Sequence, residues 1–362
     1  MDESHDASLH GLVIKRNIDQ DFVVLSDEVL GTGGYGCVVK AICKKTGKEF
    51  AVKSVKKSAN ASKMRKLRRE ISHMSRLKHE NVVELHSCYE DAQHVHIVME
   101  LCHGPNLNTF AKERCKEGTT FFSEAEVKIL ARDMLKSLTA CHDRGIIHRD
   151  IKLENFVFGE STKGGKTRVL KLIDFGLSAS LRQDGRALST RCGSTMFCAP
   201  ELLAKKYSKE IDLWSLGVVL YILLTGRAPF DGNSEEEILS NIRKSELDLQ
   251  DKRWMALSAS ARHLLSFLLA KDPTQRLSAH EALAHVWFEE AVPLTVPNVK
   301  EERPFQTESS EYVCLLLVTA ATWTATMLLN GARPPIVRRH TAAAPCRTLP
   351  LIRHDTPQML AG

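Results

Sequence analysis

His148-Arg149-Asp150-Ile151-Lys152-Leu153-Glu154-Asn155 and, nineteen residues past Asn155, Asp174-Phe175-Gly176 are the stretches from which the rest of the chain is read. They place two acids, a lysine and an amide at spacings that suit transfer of a phosphoryl group from a metal-bound nucleotide. In that reading Asp150 accepts a hydroxyl proton and Lys152 neutralises charge on the migrating group. Asn155 and Asp174 hold Mg2+. Either half alone is a modest clue, and three further motifs in the same order strengthen it.

Working outward toward the N-terminus, Phe22-Val23-Val24-Leu25 and Val29-Leu30 read as strand and lead into Gly31-Thr32-Gly33-Gly34-Tyr35-Gly36, then Cys37-Val38-Val39-Lys40. A lone G-x-G-x-x-G is weak, because dinucleotide-binding turns use the same spacing. Here the glycines lie between two β-rich runs and open no helix. That favours a hairpin lid whose backbone amides cover phosphates, with a plain hairpin turn as the bland alternative. Lys53 closes the apolar run Phe50-Ala51-Val52, seventeen residues beyond Gly36. The following helix carries Leu67, Ile71 and Met74 at helical spacing on an inward face. Glu70 sits beside that face, able to reach Lys53 and hold it on the α- and β-phosphates. Seven Lys/Arg between Lys56 and Arg69 give the same helix a basic surface, either a solvated face or a phosphate-docking one.

Val82-Val83-Glu84-Leu85 and His96-Ile97-Val98-Met99-Glu100-Leu101-Cys102 read as a strand pair ending in a connector. The connector's backbone would meet an adenine, with Met99 behind it. Ser123-Glu124-Ala125-Glu126 is a capping box, opening an amphipathic helix that runs to His142 and delivers the Asp150 loop. Gly164-Gly165 reads as a hairpin turn between flanking strands. After Gly176 a polar loop carries Ser189, Thr190, Ser194 and Thr195 and closes at Ala199-Pro200-Glu201. If Asp212 and Arg276 are buried they need partners, and Glu201 is the natural mate for Arg276.

The totals are compatible with two lobes plus tails: 362 residues, 43% hydrophobic, 26% charged. A net charge of +6 is mild and builds no stripe of the kind nucleic acid needs. Ten scattered cysteines with no repeated C-x-x-C pairs, and no N-terminal apolar run, point to reduced thiols and a cytoplasmic or nuclear setting. Asp2 excludes N-myristoylation. Residues 1–21 are expected to be a flexible arm and residues 289–362 a non-catalytic tail. Within the tail, 312–329 is eighteen uncharged residues, just about bilayer length. Its many threonines and alanines make it a weak anchor, so membrane contact through it is set against a packed helix or a functionless end.

Together these residues resemble a protein kinase, from about Phe22 to Phe288, with every signature in order. Lys152 and the 193–201 segment resemble the Ser/Thr class. The 221–226 and 272–277 stretches resemble the calcium/calmodulin-dependent group, above all the catalytic domain of plant and protist calcium-dependent kinases. The resemblance implies an α+β, two-lobed fold, with a small lobe at 22–100 built of an antiparallel sheet plus one helix and a larger, mainly helical lobe at 103–288. ATP would lie in the cleft against Leu30, the glycine-rich residues 31–36, Val38, Ala51, Lys53, Met99, Glu100, Cys102, Glu154, Val157 and Asp174. Val38, Ala51 and Val157 would sandwich the adenine, and Met74, Leu85, His148 and Phe175 would stack as a column joining the lobes. Ser194 would steady Asp150. Thr190 matches an activation-loop phosphosite, with Ser189 an equal chemical candidate. A phosphate there could pair with Arg149 and Lys66, added by an upstream kinase. The implied activity is Ser/Thr phosphotransfer (EC 2.7.11 type) to protein hydroxyls in signalling. The alternative is a pseudokinase acting as a nucleotide-binding scaffold, which predicts loss of Lys53, Asp150 or Asp174, yet all three are present. The chain departs from the group where Gly104-Pro105-Asn106 replaces Gly-Gly-Glu, a carboxylate that contacts ribose and a substrate arginine. Glu154 then remains as a reader of basic residues. No D-x-[DN]-x-[DN]-G loop follows residue 288, so direct Ca2+ control by this chain is not expected.

Overall fold

The computed structural model describes residues 13–33, 36–116, 122–161, 168–181, 187–190 and 192–289. The 289–362 tail beyond Glu289 with its apolar 312–329 stretch, residues 1–12, the lid tip Gly34-Tyr35 and the Gly164-Gly165 turn lie outside the described residues.

The N-terminal part is a six-stranded sheet in the order β1-β5-β6-β4-β3-β2. Its strands are β1 (Val13–Ile14), β2 (Phe22–Gly33), β3 (Gly36–Cys43), β4 (Glu49–Lys56), β5 (Leu85–Glu90) and β6 (His94–Glu100). Strand pairing is antiparallel except for β1, which runs parallel to β5. Cross-strand partners share a face, so the pairs Val38–Lys53, Ala51–Met99 and Leu85–Met99 put these residues on one side. There α1 (Ala61–Arg76) packs, capped by Asn60, whose side chain accepts from the Ser62 and Lys63 amides. As its spacing predicts, Leu67, Ile71 and Met74 are buried.

The opposite face carries a second small core of Phe22, Val39, Ala41, Phe50, Val52, Tyr89 and Val98 around Ile18. This corrects the expected flexible arm over its second half. Residues 13–14 pair with β5, a 3-10 turn spans Ile18–Gln20, and Ile18 is 2% exposed. Ile18 and Phe22 close an apolar sheet face that would otherwise meet water, and burying such side chains is worth about 1.5–3 kcal/mol each. Arg16 and the Tyr89 hydroxyl both bond Asp21, tying the segment down at its polar end. A second correction concerns Val82-Val83: the strand starts only at Leu85. Val82 bridges Leu172, and the Val83 amide donates to the Leu172 carbonyl at 3.0 Å, so this backbone is satisfied by the C-terminal part before the chain enters the sheet.

The C-terminal part holds α2 (Leu107–Lys116), α3 (Glu124–Asp143), β7 (Ile146–Ile147), β8 (Phe156–Glu160), β9 (Arg168–Leu172) and β10 (Ala179–Ser180). After these come α4 (Pro200–Leu203), α5 (Glu210–Thr225), α6 (Glu235–Lys244), α7 (Lys252–Met255), α8 (Ala259–Leu268), α9 (Ala279–Leu283) and α10 (Val286–Glu289). Ser123 and Glu126 form the expected capping box at the start of α3. Antiparallel β8–β9 and β7–β10 frame the two signature stretches. Helix α5 is buried almost all round and stops at Gly226, whose φ of 71° is the left-handed turn that ends helices. Gly217 lets α8 approach: a Cβ there would lie 2.9 Å from Leu268 Cβ. No helix among the described residues is long and apolar enough to cross a membrane.

Candidate active site

Arg149 and Asp174 both hold positive φ, 69° and 61°, a conformation that costs non-glycine residues about 1–3 kcal/mol and needs outside support. Asp212, at the start of α5, supplies it for the first. Its Oδ2 accepts from the His148 amide and His142 Nε2, each at 2.9 Å, and Oδ1 accepts from the Arg149 amide at 2.8 Å. Burial pushes this carboxyl up, but the bonds from His142 and the Arg149 amide outweigh it and hold it below the usual range. The sequence requires a partner for Asp212 without saying which. The answer is the backbone of the signature loop itself. Arg276 is paired as expected, its NH2 donating to Glu201 Oε2 at 2.8 Å and its NH1 to Oε1.

Asp150, 8% exposed, is braced from three sides. Lys152 Nζ lies 2.9 Å from Oδ2, Ser194 donates to Oδ1 at 3.2 Å, and Asn155 Nδ2 donates to the Asp150 carbonyl and Oδ2 at 2.7 and 3.1 Å. Lys152 also donates to Ser194 Oγ at 3.3 Å. Gly193 makes this possible, because a Cβ there would meet the Arg149 carbonyl at 2.7 Å. With its nitrogen spent on Asp150, Asn155 keeps its amide oxygen as a ligand. That oxygen and the Asp174 carboxylate are hard donors of the kind Mg2+ takes.

Lys53, expected to meet Glu70, does so at 2.6 Å and also reaches Asp174 at 3.3 Å. Burial disfavours the ammonium, but Asp174 and Glu70 outweigh it and raise Lys53 above its ordinary value. Burial lifts the Glu70 carboxyl, with Lys53 pulling it back. Desolvation at the base of the cleft works against the Asp174 carboxylate, yet Lys53 and the Gly176 amide outweigh it and the carboxyl stays below its ordinary value. Its side chain still shows 45% of its surface, as a ligand for an incoming ion must. Met74 and Phe175 share one core with Leu85 packed against it, and the His148 ring meets Phe175 edge to face at 5.0 Å.

Around this centre Leu30 is exposed, Ala51 is buried and Val157 lies between the two. Val157 bridges Asn106. Thr32, Gly33 and Gly36 lie in the β2–β3 pair, where Thr32 faces Cys37 and Gly33 faces Gly36. Glu100 spends its carboxylate on Lys171 at 2.9 Å and the Glu84 amide at 3.2 Å, so a nucleotide would meet its backbone. Burial pushes the Cys102 thiol up to about 12. Asn106, in place of the group's carboxylate, accepts from the Thr109 amide at 2.8 Å and so caps α2. Glu154 accepts from Asn108 Nδ2 at 3.2 Å through Oε1, while its buried Oε2 has no hydrogen-bond partner. Burial raises its carboxyl, and a basic group brought alongside would satisfy it.

Thr190 and Ser189 are exposed. Arg149 reaches Thr190 only through Tyr207: NH1 donates to the Tyr207 hydroxyl at 3.0 Å, which donates to the Thr190 carbonyl at 2.6 Å. Lys66 lies exposed on α1. Two contacts had no sequence signal. Tyr207 is one. The other is His73 on α1, wholly buried, whose Nδ1 and Nε2 lie 2.7 and 3.0 Å from the hydroxyls of Ser178 and Ser180. It joins α1 to the segment just after Asp174-Phe175-Gly176.

A lysine held by two acids, a braced aspartate and an amide beside a carboxylate, set between the β2–β3 hairpin and a helical body, are arranged as phosphoryl transfer would require. The chain belongs to the protein kinase family: the protein kinase domain model matches residues 25–288. It is 39% identical over 284 residues to calcium-dependent protein kinase 10 of Oryza sativa subsp. japonica, covering 77% of this chain and 46% of that one. It is 40% identical over 261 residues to calcium-dependent protein kinase 25 of Arabidopsis thaliana, covering 71% and 48%. Serine/threonine-protein kinase 33 of Mus musculus is 34% identical over 296 residues, covering 78% and 59%. The chain thus spans about half the length of the curated relatives it matches. Kinases of this family use ATP and a divalent metal.

Proposed function

We propose that this chain is a Mg·ATP-dependent Ser/Thr protein kinase that transfers the γ-phosphoryl group to hydroxyls of protein substrates. The observation that carries the reading is Lys53 Nζ placed 2.6 Å from Glu70 and 3.3 Å from Asp174, an ion triad with no structural need to cross the cleft. In the proposed reaction Lys53 orients the α- and β-phosphates. Asn155 and Asp174 would hold Mg2+, which would supply positive charge to offset that of the phosphates. Asp150 receives the proton from the substrate hydroxyl, and Lys152, 2.9 Å from it, offsets the negative charge that gathers between nucleophile and nucleotide. Ser194 keeps the Asp150 carboxylate from rotating.

Activation-loop phosphorylation at Thr190, or at Ser189, by an upstream kinase is the proposed control. Tyr207 already ties the Thr190 backbone to Arg149, so a phosphate would enter a site with a guanidinium one residue away. The free cysteines among the described residues support a reducing, cytoplasmic setting.

The test is γ-phosphoryl transfer to a panel of Ser/Thr peptides by the full chain, beside Asp174→Asn. Transfer that disappears in the variant is expected, and transfer that persists there rejects the assigned centre. Binding of Mg·ATP without transfer, even with Thr190 phosphorylated, would make the chain a nucleotide-binding scaffold.

A further inference from the structure

The hairpin joining β5 to β6 carries three side chains that the phosphotransfer centre does not use. Asp91 ends the β5 side of the turn, and His94 and His96 are two apart on β6. Strand alternation therefore points both imidazoles to the same side. By the register of β4 and β6, His96 lies opposite Ser54 and Lys53 lies opposite Ile97, so the histidines occupy the sheet face away from Lys53. Their donor atoms converge. His96 Nε2 is 3.0 Å from Asp91 Oδ2, His94 Nδ1 is 4.0 Å from Asp91 Oδ1, and one ligand atom from each of the three residues lies within 4.8 Å of the others.

We propose that Asp91, His94 and His96 form a second metal site, for a borderline transition-metal dication such as Zn2+. Around Zn2+ with bonds of about 2.0–2.1 Å, tetrahedral ligand atoms stand about 3.3 Å apart. His96 Nε2 stands 3.0 Å from one Asp91 oxygen and His94 Nδ1 4.0 Å from the other, so side-chain rotation alone is needed to bring one oxygen and both nitrogens to that spacing. Two imidazoles and a carboxylate suit Zn2+, Co2+, Ni2+ or Cu2+. Mg2+ and Ca2+ prefer all-oxygen sites, so the ion of the phosphotransfer centre is not a competitor.

The site is built before any ion enters. Asp91 Oδ1 accepts from the Gln93 and His94 amides, both at 2.7 Å, which fixes the carboxylate and leaves Oδ2 toward His96. Ser54 Oγ lies 2.8 Å from His96 Nδ1, the outer contact that metal-binding histidines ordinarily have. A hydroxyl serves either way. Without metal, Ser54 donates to Nδ1 while Nε2–H donates to Asp91. With metal on Nε2, the ring proton moves to Nδ1 and is donated to Ser54. No backbone need move. His94, 37% exposed at its side chain, is the arm free to swing the remaining fraction of its distance. Of the nearby cations Lys57 is paired with Glu90 at 2.7 Å. Lys56, opposite His94 in the register and exposed, is a positive charge the ion must tolerate. Three protein ligands leave the fourth position to water.

The test titrates the full chain, kept reduced, with Co2+ in the presence of Mg·ATP, followed by absorption. One equivalent with ligand-field bands and no thiolate charge-transfer band is expected. His94→Ala, His96→Ala and Asp91→Asn should each weaken it about tenfold or more, with phosphoryl transfer from Mg·ATP, in buffer freed of transition metals, within about twofold of the parent. Zn2+ should raise the thermal midpoint of the parent and not of the variants. His94→Ala guards against misfolding, because its ring fills no core, and Asp91→Asn keeps the turn, since Asn closes the same backbone loop. No uptake, or uptake equal in the parent and all three variants, overturns the proposal. A thiolate band that survives in them assigns the ion to cysteine and overturns it as well.

Discussion

A carboxylate acts as a base only where both its direction and its reach are fixed, and at Asp150 the direction is set by three neighbours. Asp150→Asn is expected to lower kcat by about 10²–10⁴-fold. Ser194→Ala, which frees Oδ1 but leaves the carboxylate in place, should lower kcat by less while leaving the KM for ATP near the parent value. Steady-state kinetics on one peptide separates the two. Cys102 offers a residue-scale contrast. Its thiol, pushed up to about 12 by burial and by nearby Glu100, stays protonated at neutral pH, and the thiolate is the reactive form. Iodoacetamide at pH 7.5, read by mass spectrometry, should therefore modify Cys102 far more slowly than it does a free thiol. At Glu154 the unpartnered Oε2 predicts that Glu154→Gln reduces transfer to basic peptides more than to neutral ones.

At the scale of elements, α5 and the Asp150 loop are one unit because Asp212 bonds two backbone amides of that loop. The pH consequence has a definite sign. A free Asp titrates near 3.8, and the folded carboxyl sits lower. The unfolded chain therefore binds more protons below 3.8, and stability contributed by Asp212 is complete above that pH and lost as pH falls through the folded value. Asp212→Asn should flatten the acid limb of the thermal midpoint below about pH 4, besides lowering stability throughout. The Glu201–Arg276 pair binds α4 to the end of the helical body. Arg276, whose side chain is 0% exposed, would be left as an unmatched buried charge in Glu201→Ala, a change expected to cost about 3–5 kcal/mol by denaturant titration.

For the molecule as a whole, two cores of unequal size set what can move. The larger runs from α1 through α3 to α5 and α8, while the smaller lies on the far face of the sheet under residues 13–22. Ile18→Ala should cost about 2–5 kcal/mol by cavity formation, measured by denaturant unfolding, where a flexible arm would show no effect. His73 spans from α1 to the Ser178–Ser180 segment, so His73→Ala should weaken the coupling of Glu70 to the Asp174 region. Slower transfer with stability less affected than by Ile18→Ala is the expected result.

Sequence alone determined the class of fold and singled out the residues of the proposed catalytic constellation. Lys53, Glu70, Asp150, Asn155 and Asp174 are legible because their chemistry demands those residue types at nearly fixed intervals. The helix of Leu67, Ile71 and Met74 is legible because burial of one face imposes a 3.6-residue period. The pairing of Arg276 with Glu201 followed from the cost of a lone buried charge. Tertiary structure decided the rest. Val82-Val83 has the composition of a strand, but its backbone partner, Leu172, lies about ninety residues away. Residues 13–21 are polar enough to read as an arm, and only the apolar sheet face they cover makes Ile18 a core residue. The contacts of Asp212, His73 and Tyr207 and the gathering of Asp91, His94 and His96 depend on which segments the fold brings side by side. Local pattern encodes period and propensity, whereas contacts between distant segments follow from how the whole chain buries its apolar surface.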